Sequence, residues 1–257
     1  MTHVILYGRM PVLEALLDEH ATVRRVVIDR RAQGDAVDRI VEAAKARGVR
    51  LERADAARVT HLSRNGRHDQ GVVAQVLAPR MAELEDWLAA PSGPAALLLL
   101  DGVTNPANVG MIIRTAAAAG LDGVVLPRAG CPDVGPLVVK ASAGVALSAP
   151  VLRAPDAPAA AAALAAAGVE LVGLAGGAAD SLWDARFASR VALVLGNETS
   201  GISPAVAATV HRWCAIPLAA GVESLNVAAA AAVAAFELGR RRATAPAPAA
   251  PPDPSGP

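Results

Sequence analysis

Aromatic residues are scarce in this chain. Its 257 residues include three Trp, one Tyr and two Phe, which together make up 2% of the sequence. A surface that binds nucleic acid by stacking successive bases needs several exposed rings, so the composition argues against this mode of recognition. Apolar residues still account for 53% of the chain. The core of one large or two modest domains must therefore be built from Ala, Val, Leu and Ile.

Cysteine is also rare, because Cys131 and Cys214 are the only two in the sequence. Neither belongs to a C-x-x-C pair, so no zinc cluster and no metal site are expected, and both fit small buried side chains in a reducing compartment. No run as long as a bilayer span is free of charged residues and Pro. The start of the chain lacks a basic segment followed by an apolar one. We therefore expect no membrane contact and a cytoplasmic location.

Net charge is absent as well, since 24 Lys and Arg balance 24 Asp and Glu. The molecule as a whole is thus not a polycation. Residues 1–80 nevertheless hold 14 basic and 10 acidic residues, which leaves 10 and 14 for the remainder. This asymmetry fits an N-terminal module that faces phosphate groups. Ordinary variation among surface residues produces similar imbalances, so both interpretations stay open.

The first part of the chain, residues 1–79, is predicted to form a small α/β module. Short β-prone runs alternate there with segments that have helical periodicity, and one of these segments ends at Gly48. The predicted helices lie near 11–18, 35–47 and 54–62, and the predicted strands near 23–28, 49–51 and 71–77.

Residues 95–242 are predicted to form a second, larger α/β domain with a parallel sheet covered by helices. The stretch 80–94, rich in Pro, Ser and Gly, is predicted to be a linker that contains a short helix near 83–88. The Ala- and Pro-rich tail 243–257 is expected to be disordered. The predicted strands of the larger domain lie near 97–100, 123–126, 169–174, 191–195 and 213–216.

Three polar islands interrupt the apolar pattern of the larger domain. They read NPANVGMIIRT (105–115), LGNETSG (195–201) and IPLAAGVESLNV (216–227). The first two directly follow dense apolar runs, which is typical of a loop at the end of a buried parallel strand. In the third, Ser224 and Asn226 precede an Ala-rich helix, where a buried polar group without a hydrogen bond costs about 1–3 kcal/mol. Ser224 alone fits a helix N-cap, but the three islands together favour a functional site.

These islands, in this order, resemble the three motifs of the SpoU/TrmH-type RNA 2′-O-ribose methyltransferases of the SPOUT superfamily. Residues 7–16 and 70–74 are similar to the opening and the close of the substrate-binding extension of the rRNA-modifying members. The resemblance covers about residues 3–242. It implies an N-terminal L30e-like α/β domain and a C-terminal SPOUT domain, in which a deep trefoil knot forms the cofactor pocket. The knot follows from the resemblance alone, since knots are nearly absent from proteins.

The resemblance implies S-adenosylmethionine-dependent methylation of ribose 2′-hydroxyls in RNA. The N-terminal extension favours rRNA of the 23S type over tRNA, and a homodimer is implied as well. S-adenosylmethionine carries an activated methyl group, so no metal is required. The basic stretch 61–68 fits either a solvated turn or an RNA contact.

Three alternative functions remain to be weighed. The chain could be a tRNA ribose methyltransferase, or a non-catalytic RNA-binding protein on the same fold. The non-catalytic alternative would require a broken motif, and none of the three is broken. A nicotinamide-dependent oxidoreductase has weak support, because no G-x-G-x-x-G follows a predicted strand.

The functional positions of the family fall on two sets of residues in this chain. The catalytic set contains residues that orient the substrate, a carboxylate that supports the pocket or caps the helix after Gly201, and one Arg. The cofactor set contains apolar residues that can enclose a purine, a Gly that permits close approach of the backbone, and a Ser. The resemblance implies catalytic roles for Arg114, Asn108, Glu198, Ser224 and Asn226, and cofactor contacts for Leu195, Gly196, Gly201, Ile216, Leu218, Ser224 and Leu225.

Arg114 is the residue to which the resemblance assigns activation of the 2′-hydroxyl. It lies six residues after Asn108, so at about 100° per residue the two side chains are not stacked on one helix face. A guanidinium normally stays protonated. Either its surroundings remove the proton, or it acts as a cation that stabilises the forming alkoxide. Departures from the usual pattern at Asp69, at Ala228 and in the second motif leave the target nucleotide open.

Overall fold

The computed structural model describes residues 2–90, 93–220 and 222–244. Within them, the chain forms one sheet of four strands and one of eight, so the predicted α/β class is confirmed. Two residues of the predicted linker and nearly all of the predicted tail, residues 245–257, lie outside the described part of the chain.

The smaller sheet comes from the first part of the chain and is mixed. Its elements are, in chain order, β1 (Thr2–Tyr7), α1 (Arg9–Leu17), β2 (Val23–Asp29), α2 (Asp35–Ala46), β3 (Arg50–Ala54), α3 (Ala56–Ser63) and β4 (Val72–Ala78). The strand order is β1-β4-β2-β3, in which β4 is antiparallel to both of its neighbours and β2 is parallel to β3. All three predicted helices and all three predicted strands are present. β1 was not predicted; it is an edge strand in which only Val4 and Leu6 are buried.

The period of two residues in β4 explains why this sheet has two covered faces. Val72 and Val76 point into the core beneath α1, where Leu13 and Leu16 are fully buried. Val73, between them, faces the smaller cluster beneath α3. Successive strand residues point to opposite sides of a sheet, so helices on both faces are needed to cover such a strand.

The larger sheet is parallel throughout its described pairs. Its elements are β5 (Met81–Glu83), α4 (Leu84–Ala89), β6 (Ala95–Leu100), α5 (Pro106–Ala118), β7 (Gly123–Pro127), α6 (Pro136–Ala141), β8 (Val151–Ala154), α7 (Ala157–Ala166), β9 (Glu170–Leu174), β10 (Asp180–Ser181), β11 (Arg190–Leu195), α8 (Pro204–Ala207), β12 (Arg212–Ala215) and α9 (Val227–Thr244). The strand order is β10-β12-β9-β11-β6-β7-β8-β5. The five predicted strands are all present.

β6 shows why the sequence of this sheet reads as continuous apolar runs. Leu98 and Leu100 belong to the core cluster on the side of α5 and α9, whereas Leu97 and Leu99 belong to the cluster on the side of α7. All four side chains are fully buried. A strand covered by helices on both faces has no need of polar residues, as is usual in parallel sheets.

The structure differs from the predicted linker over most of its length. Met81–Glu83 form β5, which pairs with β8 at the edge of the larger sheet. Leu84–Ala89 form α4, close to the predicted short helix, and Leu84 is buried in the core cluster beneath α7. The apolar side chains of Met81, Leu84 and Trp87 pack this stretch against the sheet, so the break expected from Pro and Gly does not occur between Met81 and Ala89.

The order of strands in the larger sheet reverses at β6 and β11, because the strands that follow are added on opposite sides of this pair. From β6 the chain runs outward through β7 to β8, then crosses to β9 on the other side of β11. β6 and β11 pair in register, with Leu100 opposite Leu195. In open α/β sheets, ligands bind beyond the carboxyl ends of the strands at such a switch point. The first two polar islands follow these two strand ends.

Helix α9 closes the described chain and packs beside α5. A Cβ atom on Gly239 would lie 2.5 Å from the carbonyl oxygen of Ala119, so only Gly allows this close approach of the two helices. The helix continues to Thr244, two residues beyond the predicted domain end at 242. Ala has the highest helix propensity, which accounts for the extension at Ala243.

Charged contacts hold the end of α9 in place. Glu237 is buried and accepts bonds from Arg240 and Arg241 at 2.6–2.9 Å. Arg241 also donates to the carbonyl oxygens of Leu182 and Trp183, both at 2.8 Å. The hydrogen bonds from Arg240 foremost, and then those from Arg241, lower the pKa of Glu237 to about 2, against a partial increase caused by burial.

Replacing Glu237 by Gln is expected to lower the free energy of unfolding by about 1–3 kcal/mol near neutral pH, because hydrogen bonds to a charged group are lost. The folded-state pKa lies below the usual 4.5, so this contribution is complete above that pH and disappears as the pH falls toward 2. Urea unfolding of both proteins across this range measures the difference. Glu85→Gln, at an exposed position of α4, is the control, and a difference that does not change with pH would contradict the assignment.

Candidate active site

A cavity of about 310 Å³ lies at the carboxyl ends of the central strands. Its walls come from the loops after β9, β11 and β12 and from the first residues of α9. Every residue predicted to contact a cofactor lines it: Leu195, Gly196, Gly201, Ile216, Leu218, Ser224 and Leu225. The structure therefore brings together loops from three separate parts of the chain, those after β9, β11 and β12.

Other residues of this lining were not predicted from the sequence. They are Leu174, Ala175, Gly176, Asn197, Ile202, Trp213, Glu223, Val227 and Ala230. A signal for Leu174, Ala175 and Gly176 was present in the sequence at the end of β9. There an apolar run is followed by Ala175, Gly176 and Gly177, just as apolar runs precede the loops after β11 and β12. Trp213 gave no signal of its own, because its position inside a strand fits core packing equally well. Its ring fills the space beside Gly173, where a Cβ atom would lie 2.6 Å from the ring.

The loop after β11 is shaped by contacts within itself. The backbone groups of Asn197 and Gly201 exchange two hydrogen bonds, at 2.9 and 3.0 Å. The Asn197 side chain accepts bonds from the backbone N–H groups of Thr199 and Ser200. Gly196 is required because a Cβ atom there would overlap the backbone of Gly201. The close approach expected at Gly196 is thus between two parts of one loop.

Two hydrogen bonds join this loop to the loop after β6. The Asn197 amide donates to the carbonyl oxygen of Gly102 at 2.8 Å, and the Asp101 carboxylate accepts from the backbone N–H of Ser203 at 2.6 Å. Asp101 is buried. Since Ser203 precedes α8, the group that serves this helix start is Asp101, and the alternative role of Glu198 as its cap is not supported.

A polar network connects the three motifs. The Asn108 side-chain amide donates to the Glu198 carboxylate, and the Asn226 amide donates to the side-chain oxygen of Asn108 at 3.3 Å. Asn108 is buried in the first turn of α5, which Asn105 caps through a 2.9 Å bond from the N–H of Ala107. Glu198 also lines the cavity. The three side chains therefore form one hydrogen-bonded group at the edge of the cavity.

Ser224 and Asn226 have different roles at the start of α9. The Asn226 side chain accepts bonds from the backbone N–H groups of Ala228 and Ala229 at 2.9 and 3.3 Å, which makes Asn226 the N-cap. Ser224 is exposed and lines the cavity. The sequence had left the N-cap interpretation open for Ser224, and the structure assigns that role to its neighbour.

Arg114 stands apart from the other four predicted catalytic residues. It is exposed on α5 and does not line the cavity. Six residues of helix place it about 9 Å further along the axis than Asn108 and about 120° around it. Within the described residues its guanidinium makes no hydrogen bond or ion pair. It is therefore free to contact a molecule that approaches this face of α5.

The remaining features concern metals, membranes and thiols. Within the described residues, no group of three His, Cys, Asp or Glu side chains is placed to hold a metal ion, and no helix is long and apolar enough to cross a bilayer. Neither Cys131 nor Cys214 forms a disulfide. Cys214 is fully buried as predicted, whereas Cys131 is only partly buried, contrary to the prediction. Burial raises the pKa of both thiols, which disfavours the reactive thiolate form.

Fold and site define a parallel α/β domain with a cavity at the carboxyl ends of its central strands, preceded by a smaller α/β module. The sequence model of the SpoU rRNA methylase family matches residues 95–236, and the model described as RNA 2′-O ribose methyltransferase substrate binding matches residues 5–82. The chain belongs to the SpoU rRNA methylase family. The predicted class, an RNA 2′-O-methyltransferase, is thereby confirmed.

Similar proteins cover nearly the whole chain. The 23S rRNA (guanosine-2′-O-)-methyltransferase RlmB of a Burkholderia species is 36% identical and is aligned over 93% of this chain and 96% of its own. RlmB of Ralstonia nicotianae is 33% identical, with coverages of 95% and 98%.

Two solved structures are informative. The SpoU methyltransferase AviRb from Streptomyces viridochromogenes, in complex with the cofactor AdoMet, has a TM-score of 0.65 and 26% identity over 95% of this chain and 92% of its own. AdoMet is S-adenosylmethionine, the cofactor predicted here. A protein studied for 2′-OH methylation of C/U34 on tRNA has a TM-score of 0.52 and 31% identity, over 59% of this chain and 99% of its own.

The cap assignment predicts different effects of two neighbouring substitutions. Asn226→Ala should lower the free energy of unfolding by about 1–2 kcal/mol, because it removes an N-cap. Ser224→Ala should change it by less than about 0.5 kcal/mol, because the Ser side chain is exposed. Denaturant unfolding of both variants measures the difference. Equal losses, or a larger loss for Ser224→Ala, would show that the cap is wrongly assigned.

Proposed function

We propose that this protein transfers the methyl group of S-adenosylmethionine to the 2′-hydroxyl of a guanosine in 23S rRNA. The observation that carries the proposal is the cavity at the switch point, bordered by the Asn108–Glu198–Asn226 network. The choice of substrate rests on RlmB relatives that are aligned over 93–95% of this chain. The tRNA alternative is less favoured, because the similar tRNA-modifying protein covers 59% of this chain.

The cavity has the chemistry expected for an adenosyl cofactor. Its volume of about 310 Å³ lies at the lower end of the range for small-molecule sites, about 300–1,000 Å³. Leu195, Ile216 and Leu218 provide apolar walls for a purine. Glu198 and Glu223 provide carboxylates in the cavity lining. These can attract a ligand that is cationic at its sulfonium and amino groups. When bound, S-adenosylmethionine supplies a methyl group already activated for transfer.

The chain's own residues then position the attacking hydroxyl. Asn108 is held from both sides, donating to Glu198 and accepting from Asn226. A buried side chain fixed in this way keeps its place at little further entropic cost when the substrate binds. We assign Asn108 and Asn226 to orienting the ribose, Ser224 to contacting ligand at the cavity wall, and Glu198 to holding Asn108.

Arg114 is assigned the role of an electrostatic stabiliser. Its side chain is exposed, and a guanidinium offers hydrogen-bond donors and no acceptor. A cation beside the ribose would favour the alkoxide that develops as the hydroxyl loses its proton. Of the two roles that the sequence left open, this one fits the exposure of the residue.

The domain roles follow from the same proposal. We assign RNA substrate binding to the L30e-like module 1–79 and methyl transfer to the SPOUT domain 95–242. The family likeness supports a deep trefoil knot in the latter, in keeping with one cavity lined by the separate loops 196–203 and 216–227. Because ribosomal RNA is the proposed substrate, we place the reaction in the cytoplasm.

We further propose a homodimer that pairs through α5 and α9. Phe236 on α9 is 54% exposed and Met111 on α5 is 41% exposed, although the opposite face of each helix is already buried in the core. Large apolar side chains on two adjacent helices favour a protein interface. Arg114, on the exposed part of α5, would then lie near the dimer contact.

Incubating the protein with labelled S-adenosylmethionine and either 23S rRNA or total tRNA tests the activity. Label is expected in the rRNA at one ribose, which nuclease mapping would locate. Arg114→Ala is expected to reduce transfer at least about 100-fold, the scale for loss of one transition-state contact, and to leave cofactor binding by calorimetry nearly unchanged. The control is Arg186→Ala, which replaces an exposed Arg distant in sequence from Arg114. Full activity of Arg114→Ala would refute its role, and label in tRNA alone would refute the substrate.

Sedimentation velocity tests the dimer. The unmodified chain should sediment as twice its mass of 25.9 kDa, and Phe236→Glu should shift the equilibrium toward monomer, because it places a charge in an apolar contact. Leu17→Glu, at an exposed position of α1, should have no effect on association. A chain that remains monomeric at micromolar concentration, or a Phe236→Glu variant that stays dimeric, would contradict the proposed interface.

A further inference from the structure

A second cavity of about 690 Å³ separates the two sheets. One wall is formed by β1 and the basic stretch at the end of α3, and the other by residues 132–138 with the strand ends of β7 and β8. It has no lining residue in common with the cofactor cavity. Pro106 lines it at the start of α5, two residues before Asn108. The second cavity therefore ends within a helical turn of the proposed catalytic network.

The charge of this second cavity is predominantly positive. Arg64, Arg128 and Arg153 line it, whereas Asp133 is the one carboxylate of its lining among the described residues. Arg128 is also paired with Glu83, at 2.6 and 2.9 Å, from outside the lining. Three guanidinium groups set against two carboxylates still leave a net positive charge around the cavity.

Arg153 is the unusual member of this group. It lies on β8 and is 5% exposed, and its Nη2 atom donates to Asp133 at 2.5 Å. Its Nη1 atom is buried and has no hydrogen-bond partner within the described part of the chain. Burial lowers the pKa of Arg153, and the Asp133 carboxylate raises it in part. The side chain of Asp133 is 85% exposed, so it compensates the buried cation from the solvent side only.

A buried guanidinium with an unused donor is costly, because a group of this kind normally finds partners for its N–H groups. An anionic ligand in the cavity would supply the missing partner. A further donor lies on the opposite wall, where the Tyr7 hydroxyl accepts a 2.9 Å bond from Asn65 and donates none within the described residues. Tyr7 and Arg153 both line the cavity. Its two walls thus carry phenol and guanidinium groups, both of which can donate to a phosphate group.

We propose that the second cavity binds a phosphodiester of the RNA substrate, with Arg64 and Arg153 as its cationic contacts and Asp133 displaced from Arg153 when the RNA enters. The inference rests on the proposed function. It adds a site at which residues from both sheets contact the RNA backbone. Pro106, the first residue of α5, lines that site. The basic stretch 61–68 then contacts RNA through Arg64, which the sequence had left open against a solvated turn.

Filter binding of full-length protein to 23S rRNA transcripts at several salt concentrations tests the proposal. Arg64→Gln is expected to weaken binding about 3- to 10-fold and to reduce the slope of log K against log salt by about 0.7–0.9, the value for one phosphate contact. Arg67→Gln removes the same charge from the same loop but lies outside the cavity lining, so it should change binding less than about twofold. Equal effects of the two variants would overturn the proposal.

Asp133→Asn provides a test in the opposite direction. It removes the competing carboxylate from an exposed position, so RNA binding should become several-fold tighter. Weaker or unchanged binding would overturn the proposal. Inorganic phosphate alone, added in a thermal unfolding experiment, separates the two sources of the anion. If phosphate stabilises the protein and neither variant alters RNA binding, the cavity takes free phosphate and the proposal fails.

Steady-state methyl transfer distinguishes this inference from the proposed function. With Arg64→Gln, the KM for RNA should rise by a larger factor than kcat falls, because the residue binds substrate away from the reacting atoms. A fall in kcat alone would contradict a binding role. If the unmodified protein methylates no RNA, the proposed function is wrong, while filter binding still decides whether the second cavity holds an RNA phosphate.

Discussion

The pairing of β6 with β11 is the constraint on which the rest of the active site depends. Leu100 lies opposite Leu195, so the loops that follow these strands leave the sheet side by side. Asp101 and Asn197 then join the loops through bonds to the backbone of each other's loop. A slip of this register by one residue would turn every side chain of the strand to the other face. The hydrogen bonds of Asp101 and Asn197 depend on this register, because they join residues that directly follow the two strands.

The active-site region combines rigid and accessible parts. The loop after β11 is held by its own hydrogen bonds, and Asn108 is fixed between Glu198 and Asn226. Arg114, by contrast, is exposed on α5 and does not line the cavity. Its guanidinium has a long, flexible chain and can move to meet a substrate. In the proposed reaction, the cavity and the network are therefore formed in advance, whereas the cationic group is brought into place by RNA or by a second copy of the chain.

How far the sequence predicts this structure depends on the kind of signal. β6 and β11 were predicted because a strand buried on both faces reads as an uninterrupted apolar run. β8 was not, because Val151–Ala154 is four residues long and includes Arg153, a charged residue that sequence patterns place at the surface. β5 was assigned to a linker because the nearby Pro and Gly outweighed Met81 and Leu84. In both cases the contact that makes the strand lies far away in the chain.

The active site likewise has residues that the sequence predicted and residues that it missed. The seven predicted cofactor residues do line the cavity, because they occur in motifs whose order and composition are specific. Trp213 and Leu174 were missed, since an apolar side chain in a strand looks the same whether it faces a core or a ligand. The N-cap of α9 was open between two interpretations until the backbone showed that Asn226 accepts the bonds.

Sequence alone therefore determined the class of fold, the family and the local chemistry of the three motifs, since each of these is written in neighbouring residues. Tertiary structure alone decided that Asn108, Glu198 and Asn226 form one group, that Arg114 stands outside it, and that Arg153 is buried beside a cavity between the sheets. The physical reason is that hydrogen bonding and desolvation depend on which distant residues become neighbours. That information arises only when the strands are placed in order and in register.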